Sequence, residues 1–108
     1  MVYDDGLALR IRSVLSDRTD VEVKRMFGGL TFMVGGRMAC GVVHDDLMVR
    51  VGPDAAAEAL AQPHVRPMDF NGRPATGFVY VAPAGVASDV NLTRWVDRAV
   101  AFAASAER

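Results

Sequence analysis

The sequence predicts an α+β fold, in which an antiparallel sheet of about five or six strands has its helices packed on one face. Three observations support this prediction. Apolar residues recur at helical spacing near both ends of the chain, they alternate with polar residues in the middle, and glycine pairs separate the alternating runs. The predicted order of elements is α-β-β-β-β-α-β-β-α.

The first helix is predicted between Asp4 and Arg18, where the acidic start suits the positive end of the helix dipole. Its apolar stripe consists of Leu7, Ile11, Val14 and Leu15. A second, alanine-rich helix is predicted between Pro53 and Pro63, because proline is favoured at the first helical position and ends a helix that reaches it.

The last helix is predicted to begin with Ser88, Asp89 or Asn91 as its N-cap. Its apolar stripe consists of Leu92, Trp95, Val96, Ala99, Phe102 and Ala103. The large rings of Trp95 and Phe102 on that stripe are expected to seal the core.

Four strands are predicted to form a meander between the first two helices. Alternation from Val21 to Phe27 indicates the first strand, and the runs "LTFMV" and "RMACGVV" flank Gly35 and Gly36. Both central positions of a type I′ hairpin need positive φ, which glycine adopts readily. The run "LMVRV" supplies the fourth strand, and Gly41 is interpreted as a bulge or a site of close packing.

Two more strands, "VRPMDF" and "GFVYVAP", are predicted after the second helix. They surround Asn71 and Gly72, a pair typical of hairpin turns. Arg73 and Pro74 follow this pair and are expected to make the loop longer than a tight turn.

Composition indicates one cytoplasmic domain over residues 1–108. Apolar residues make up 51% and charged residues 23% of the chain, which is typical of a globular protein. No apolar run is long enough to cross a membrane, and the N-terminus has no basic, apolar leader. A single cysteine fits a reducing compartment. The net charge of −1 provides no overall positive field, which argues against direct nucleic-acid binding.

The sequence contains no recognisable catalytic, cofactor or metal-binding set. The glycine pairs lie between strand-like runs, whereas a phosphate-binding loop opens a helix. Cys40 lies in an apolar run and is expected to be a small buried hydrophobe. Cys40, His44 and the isolated His64 do not match the ligand spacing of a zinc site. We therefore expect no enzyme activity, cofactor or metal.

Five arginines on or beside the predicted sheet form the candidate interaction site: Arg25, Arg37, Arg50, Arg66 and Arg73. Guanidinium groups that converge can hold a carboxylate or phosphate by paired hydrogen bonds. The alternative is an ordinary solvated strand face, on which these arginines pair with nearby acidic side chains.

Five of the six methionines lie on or beside the predicted strands: Met26, Met33, Met38, Met48 and Met68. One face of the sheet must meet the helices, and the other either lies under loops or forms an adaptable contact surface. This pattern favours self-association, and a two-sided core is the competing interpretation.

Three features together resemble the N-terminal domain of the TfoX/Sxy family. They are the run "KRMFGG", the hairpin from Gly36 to Met38, and the leucine and tryptophan that open the last helix. The similarity covers nearly the whole chain. A fold-defining role at the hairpin corners is expected for Met26, Phe27, Gly28, Gly29, Gly35 and Gly36.

The resemblance implies a cytoplasmic α+β domain similar to the fold of secretion chaperones, with no established catalytic residues or cofactor. In the competence regulators of this family, a helical C-terminal domain follows, and the pair acts with a cyclic-AMP-responsive activator on promoters. We expect the present chain to be a stand-alone N-terminal domain that lacks the second one.

Three functional hypotheses follow from the sequence. The first is a non-enzymatic interaction module, a homodimer that docks a regulatory protein through the second sheet face and its arginines. The alternative is a small-anion-binding protein or unrecognised enzyme, in which Arg37, Arg66 or Arg73 holds the ligand near Tyr80 and His64. Promoter DNA contact is a third, weaker hypothesis.

Overall fold

The computed structural model describes residues 3–70 and 72–105 and has the predicted order of elements. The helices are α1 (Asp5–Val14), α2 (Ala56–Leu60) and α3 (Asp89–Ser105). The strands are β1 (Val21–Met26), β2 (Gly29–Val34), β3 (Arg37–Val43), β4 (Asp46–Arg50), β5 (Val65–Phe70) and β6 (Arg73–Val81). Short 3₁₀ turns at Pro53–Ala55 and Pro83–Val86 precede α2 and α3.

Side-chain caps mark where the two longer helices begin. The Asp4 carboxylate accepts a hydrogen bond from the backbone N–H of Leu7 at 3.1 Å. The Ser88 hydroxyl accepts one from the N–H of Asn91 at 3.1 Å. Each bond satisfies an N–H group that the helix leaves unpaired. Of the three caps predicted for the last helix, Ser88 therefore performs this role.

The six strands form one antiparallel sheet in the order β1-β2-β3-β4-β6-β5, which leaves β1 and β5 as its edges. Two-residue turns close the first two hairpins, because Met26 pairs with Gly29 and Val34 pairs with Arg37. Gly35 and Gly36 have φ of +60° and +83°, which confirms the predicted positive-φ turn. β1 ends one residue earlier than predicted, since Phe27 lies in the turn with φ of +59°.

Two details of the strands differ from expectation. Phe70 pairs with Arg73, so Arg73 and Pro74 belong to β6 and do not lengthen the loop; Asn71 lies outside the described residues. The bulge of the β2–β3 ladder lies at Ala39, the extra residue between the pairs that Phe32 and Met33 form.

Gly41 is a site of close packing. A Cβ at this position would overlap with the carbonyl oxygen of Leu30 on the neighbouring strand. Its absence lets β2 and β3 approach each other closely. The second of the two interpretations offered for Gly41 is therefore the right one.

The main core lies between the sheet and the helices. Side chains of every helix meet alternating residues of β2, β3, β4 and β6 there. Trp95 is 1% exposed and lies among the largest fully buried side chains, as expected. Phe102 is half-buried at the end of α3, where its ring lies so close to Gly52 that a Cβ at that position would overlap with it.

The second face of the sheet carries its own small cluster. Val43, Met48, Met68 and Tyr80 are buried there, with Phe27, Met38, Ala75 and Phe78 partly buried around them. Within the described residues, the large apolar side chains that are exposed are Leu9 and Val90, both on helices. This finding favours the two-sided core over an open apolar sheet face.

None of the helices in the described part of the chain combines the length and the hydropathy that crossing a bilayer requires.

Candidate functional site

The sheet topology spreads the five arginines over the molecule. Arg25 lies on edge strand β1 and Arg66 on edge strand β5. They are five strand spacings apart, about 24 Å along the sheet. Arg37 begins β3 and Arg50 ends the antiparallel β4, so this pair shares one end of the sheet. The five guanidinium groups cannot all converge on one anion.

Arg66 is engaged in contacts within the chain. Its guanidinium donates to the Asp46 carboxylate at 2.6 Å and lies 4.8 Å from the centroid of the Tyr80 ring. The hydrogen bond that Arg66 donates to Asp46 raises the pKa of Arg66, and burial raises the pKa of Tyr80. This arginine covers the second-face cluster with its charge already paired.

Arg50 is held by aromatic rings. Its guanidinium lies 5.8 Å from the Phe78 centroid and 5.1 Å from the Phe102 centroid. It also donates to the carbonyl oxygen of Met38 at 3.4 Å. Such cation–π contacts stabilise a packed arginine, so Arg50 ties the end of β4 to α3.

The remaining three arginines have fewer contacts. Arg37 is half-buried, and its Nε finds no hydrogen-bond partner in the described residues. Arg73 is exposed at the start of β6. Arg25 is exposed on β1, and no ion pair within residues 3–70 and 72–105 involves it. Of these cations, Arg25 lies on the open edge of the sheet.

The backbone of β1 presents unpaired groups to that edge. The N–H of Gly35 donates to the carbonyl oxygen of Asp20 at 3.0 Å, just before β1 begins. Hydrogen-bonded and non-hydrogen-bonded positions alternate along an antiparallel pair. Val21, Val23 and Arg25 therefore point their N–H and C=O groups away from β2, on the side where the described residues form no further strand.

The side chains of β1 divide between the two faces. Val21 and Val23 are half-buried and pack against the main core. Glu22 and Lys24 lie on the opposite face and are exposed. The edge thus joins a strip of apolar surface to two exposed charges of opposite sign.

A cavity of about 280 Å³ lies at the corner where β1 turns into β2, and Tyr3 and Arg25 are among its lining residues. The corner is tightly built. A Cβ on Gly29 would overlap with the carbonyl oxygen of Val42, and Phe27 adopts a left-handed conformation that a bulky residue seldom accepts. This geometry supports a structural role for the corner.

The opposite edge strand, β5, has a backbone that is less suited to pairing with another strand. The N–H of Ala82 donates to the carbonyl oxygen of His64 at 2.8 Å, which makes Val65 and Pro67 the outward positions. Proline has no N–H to offer another strand. The register then shifts between Pro67 and Asp69, which interrupts a regular edge.

The groups with reactive chemistry are dispersed. Cys40 is fully buried, and burial raises the pKa of its thiol to about 12, as expected for a structural cysteine. Within the described residues, no group of three or more His, Cys, Asp or Glu side chains could hold a metal ion.

His64 has neighbours that the sequence analysis missed. It lines a cavity of about 270 Å³ with Arg94, Trp95 and Gln62, whereas Tyr80 and the sheet arginines are not among the lining residues. The guanidinium of Arg94 lies 5.2 Å from the Trp95 centroid, and that of Arg98 lies 5.3 Å from it. The sequence signal that could have identified this cluster is the pair of arginines one residue before and three residues after Trp95, namely Arg94 and Arg98.

Similarity to a known protein family covers the sheet and most of the last helix. The model of the family described as the TfoX N-terminal domain matches residues 13–103, and these include every strand of the sheet and nearly all of α3. No curated protein and no solved structure matches the chain. The 108-residue chain therefore belongs to the TfoX N-terminal domain family.

Proposed function

We propose that this chain is a non-enzymatic regulatory module of the cytoplasm that acts by protein–protein contact, and that it works as a homodimer joined along β1. Membership of the TfoX N-terminal domain family supports a regulatory or competence-related role in broad terms. The observation that carries the proposal is the unpaired, self-complementary edge of β1.

The backbone of β1 suits pairing with a second copy of itself. In an antiparallel arrangement centred on Val23, Val23 faces its own equivalent, and Val21 faces Arg25 of the second copy. All three are outward positions, so the two strands can form up to about six hydrogen bonds. The result is one continuous sheet across both copies.

The side chains support the same register. Glu22 lies directly opposite Lys24 of the second copy, and the two-fold symmetry repeats this pair. Opposite charges across a strand pair contribute about 0.2–1 kcal/mol each. On the helix side, the half-buried Val23 side chains meet and extend the apolar core from one copy to the other.

The other edge favours a closed dimer over a fibre. β5 carries Pro67 at an outward position and is a poor template for another strand. Pairing along β1 uses the same patch on both molecules. It therefore leaves neither β1 edge free to pair with a third copy. A regulatory partner then meets a two-fold symmetric surface.

Val23→Pro is the direct test, with sedimentation velocity and light scattering at micromolar concentrations. The wild-type chain is expected to be a dimer. Proline removes an N–H that has no partner among residues 3–70 and 72–105 of the same chain, so the variant should fold and yet dimerise about 100-fold more weakly or worse.

Val23→Ala is the matched control, because it shortens the same side chain and keeps the N–H. It should weaken the dimer by less than about tenfold. A wild-type chain that stays monomeric would contradict the homodimer. A Val23→Pro variant that dimerises as tightly as the wild type would contradict pairing along β1.

A further inference from the structure

We propose that the cavity beside His64 binds a small oxyanion, a carboxylate or a phosphate monoester, chiefly through Arg94. The cavity has a volume of about 270 Å³ and lies where the end of α2, the start of β5 and the first turns of α3 meet. The lining residues that matter are Gln62, His64, Gly85, Asn91, Arg94 and Trp95. This proposal goes beyond the dimer and concerns the opposite edge of the sheet, near β5.

Arg94 is already positioned for a ligand. Its guanidinium stacks on Trp95 at 5.2 Å and donates one hydrogen bond to Oε1 of Gln62 at 3.1 Å. Trp95 is 1% exposed, so the stacking surface is fixed by the core. A guanidinium has five N–H donors in a planar fork, which leaves several for an incoming oxyanion.

A second layer of contacts fixes Gln62. Its Nε2 donates to the Glu58 carboxylate at 2.7 Å, which turns the amide oxygen of Gln62 toward Arg94. Arg98 also donates to Glu58 and stacks on the Trp95 ring at 5.3 Å. Hydrogen bonds from Arg98 and then Gln62 lower the pKa of Glu58.

The charges around the cavity favour an anion. The Glu58 carboxylate is paired with Arg98 and is not one of the residues that line the cavity. No carboxylate is among the lining residues in the described part of the chain, whereas Arg94 and His64 both are. An oxyanion therefore meets a guanidinium, an imidazole and the amide of Asn91, while the nearby Glu58 carboxylate, which also feels the charge of Arg94, lies outside the lining and is paired with Arg98.

His64 is held at the rim by its backbone. Its φ is +67°, and its carbonyl oxygen accepts a hydrogen bond from the N–H of Ala82 at 2.8 Å. Histidine is one of the residue types that adopt this conformation more often than most. Gly85 faces it closely, because a Cβ there would lie 3.1 Å from the Cβ of His64. The imidazole is exposed at the mouth of the cavity.

The size of the cavity limits the ligand. Small-molecule sites have volumes of about 300–1,000 Å³, so this one suits a compact molecule. Pro63 and Ala84 also line the cavity and are exposed, and they offer a small apolar surface for a body attached to the oxyanion. Phenyl phosphate and benzoate are suitable probes, since they share the ring and differ in the anionic group.

Trp95 reports on binding, because it is the single tryptophan of the chain. Each probe is titrated while the indole N–H signal is followed by NMR. A saturable shift is expected, and Arg94→Gln should raise the dissociation constant by about tenfold or more. Arg12→Gln is the matched control, since Arg12 stacks on a different ring, that of Phe32, and does not line the cavity, and it should change the constant by less than about twofold.

His64→Asn provides a second variant that keeps the left-handed backbone while it removes the ring. It should weaken binding about threefold or more without loss of folding. Binding of phenyl phosphate alone identifies a phosphate site, and binding of benzoate alone identifies a carboxylate site. The absence of a saturable shift with both probes, or equal effects of Arg94→Gln and Arg12→Gln, would overturn the proposal. Val23→Pro should bind as the wild type does, so failure of the dimer and failure of this site can be told apart.

Discussion

β1 and β5 are the two edges of the sheet, and both carry backbone groups that point away from their neighbouring strand. The features that limit association with another strand differ between the two edges. The backbone of β5 hinders pairing with another strand, because Pro67 occupies an outward position and the register shifts immediately after it. We call such an edge closed. β1 has a regular ladder and no proline, and its exposed residues Glu22, Lys24 and Arg25 are its main protection.

These two kinds of protection have different consequences. A proline removes a hydrogen-bond donor whatever strand approaches, so β5 discourages every partner. Charges repel only strands that do not match them, and the Glu22–Lys24 spacing of β1 matches its own antiparallel copy. Charge is thus a selective form of protection, and it permits one specific association.

The largest effect is expected when the corner that holds β1 in place is broken. Gly29→Ala would push a methyl group into the carbonyl oxygen of Val42, which belongs to the neighbouring strand and cannot move aside alone. We expect a loss of about 3 kcal/mol or more in the free energy of unfolding, measured by urea denaturation.

Gly28→Ala is the control for this corner. A Cβ there has nothing within 4 Å, and the cost is limited to the left-handed φ of +77°. That cost is about 1–2 kcal/mol. Equal losses for the two variants would show that backbone conformation, and not the close approach of β2 and β3, governs the corner.

The next effect concerns the charges of β1. Glu22→Lys and Lys24→Glu each place like charges opposite one another twice across the proposed interface. Each homodimer should weaken by about 0.4–2 kcal/mol, or about 2- to 30-fold in the dissociation constant. A mixture of the two variants should recover association, because every pair in the heterodimer is again opposite in sign.

Native mass spectrometry of the mixture measures this preference at low salt, where surface charges are screened least. Glu58→Gln is a suitable control, since Glu58 lies on α2 and contacts no residue of β1 in the described chain. Homodimers and heterodimers in the statistical ratio would argue against the register centred on Val23.

Much of this fold follows from local signals in the sequence. The period of the apolar residues identified the helices and strands, and Gly35-Gly36 identified a hairpin, because these features depend on a few neighbouring residues. Phe27 lacks such a signal, since its left-handed conformation is imposed by the pairing of Met26 with Gly29. Arg73 and Pro74 directly follow a turn-type pair, which favours a longer loop, and proline is uncommon in strands, so the local signal does not indicate their place in β6.

The candidate site was less predictable for a physical reason. Whether two arginines share a surface depends on the lateral order of the strands, and the pairing of β4 with β6 is a long-range contact. The stacking of Arg94 on Trp95 also depends on tertiary packing, here of α2 and α3 around His64. The self-complementary charges of β1 were visible in "VEVKR", but their meaning required knowledge that β1 is an edge.

A smaller effect should separate folding from association. Thr31 pairs with Lys24 across β1 and β2, and its buried hydroxyl has no hydrogen-bond partner in the described residues. Thr31→Val removes this unsatisfied group at nearly constant shape and should stabilise the fold by about 1 kcal/mol. The dimer dissociation constant should not change, since the side chain is 0% exposed. Thr31→Ser, which keeps the hydroxyl and loses a methyl group, should destabilise, whereas a Thr31→Val variant less stable than the wild type would show that the hydroxyl is satisfied.

The smallest effect is expected when the closed edge is opened. Pro67→Val restores an outward N–H on β5, but the register shift before Asp69 and the ion pair of Arg66 with Asp46 still interrupt the edge. The variant should form assemblies larger than the dimer only at the highest concentrations, as seen by light scattering. Combined with Val23→Pro, it should associate through β5 alone and no more strongly than the wild type does through β1. Strong polymerisation of the single variant would mean that Pro67 by itself keeps β5 closed, whereas the absence of any change would assign that role to the register shift.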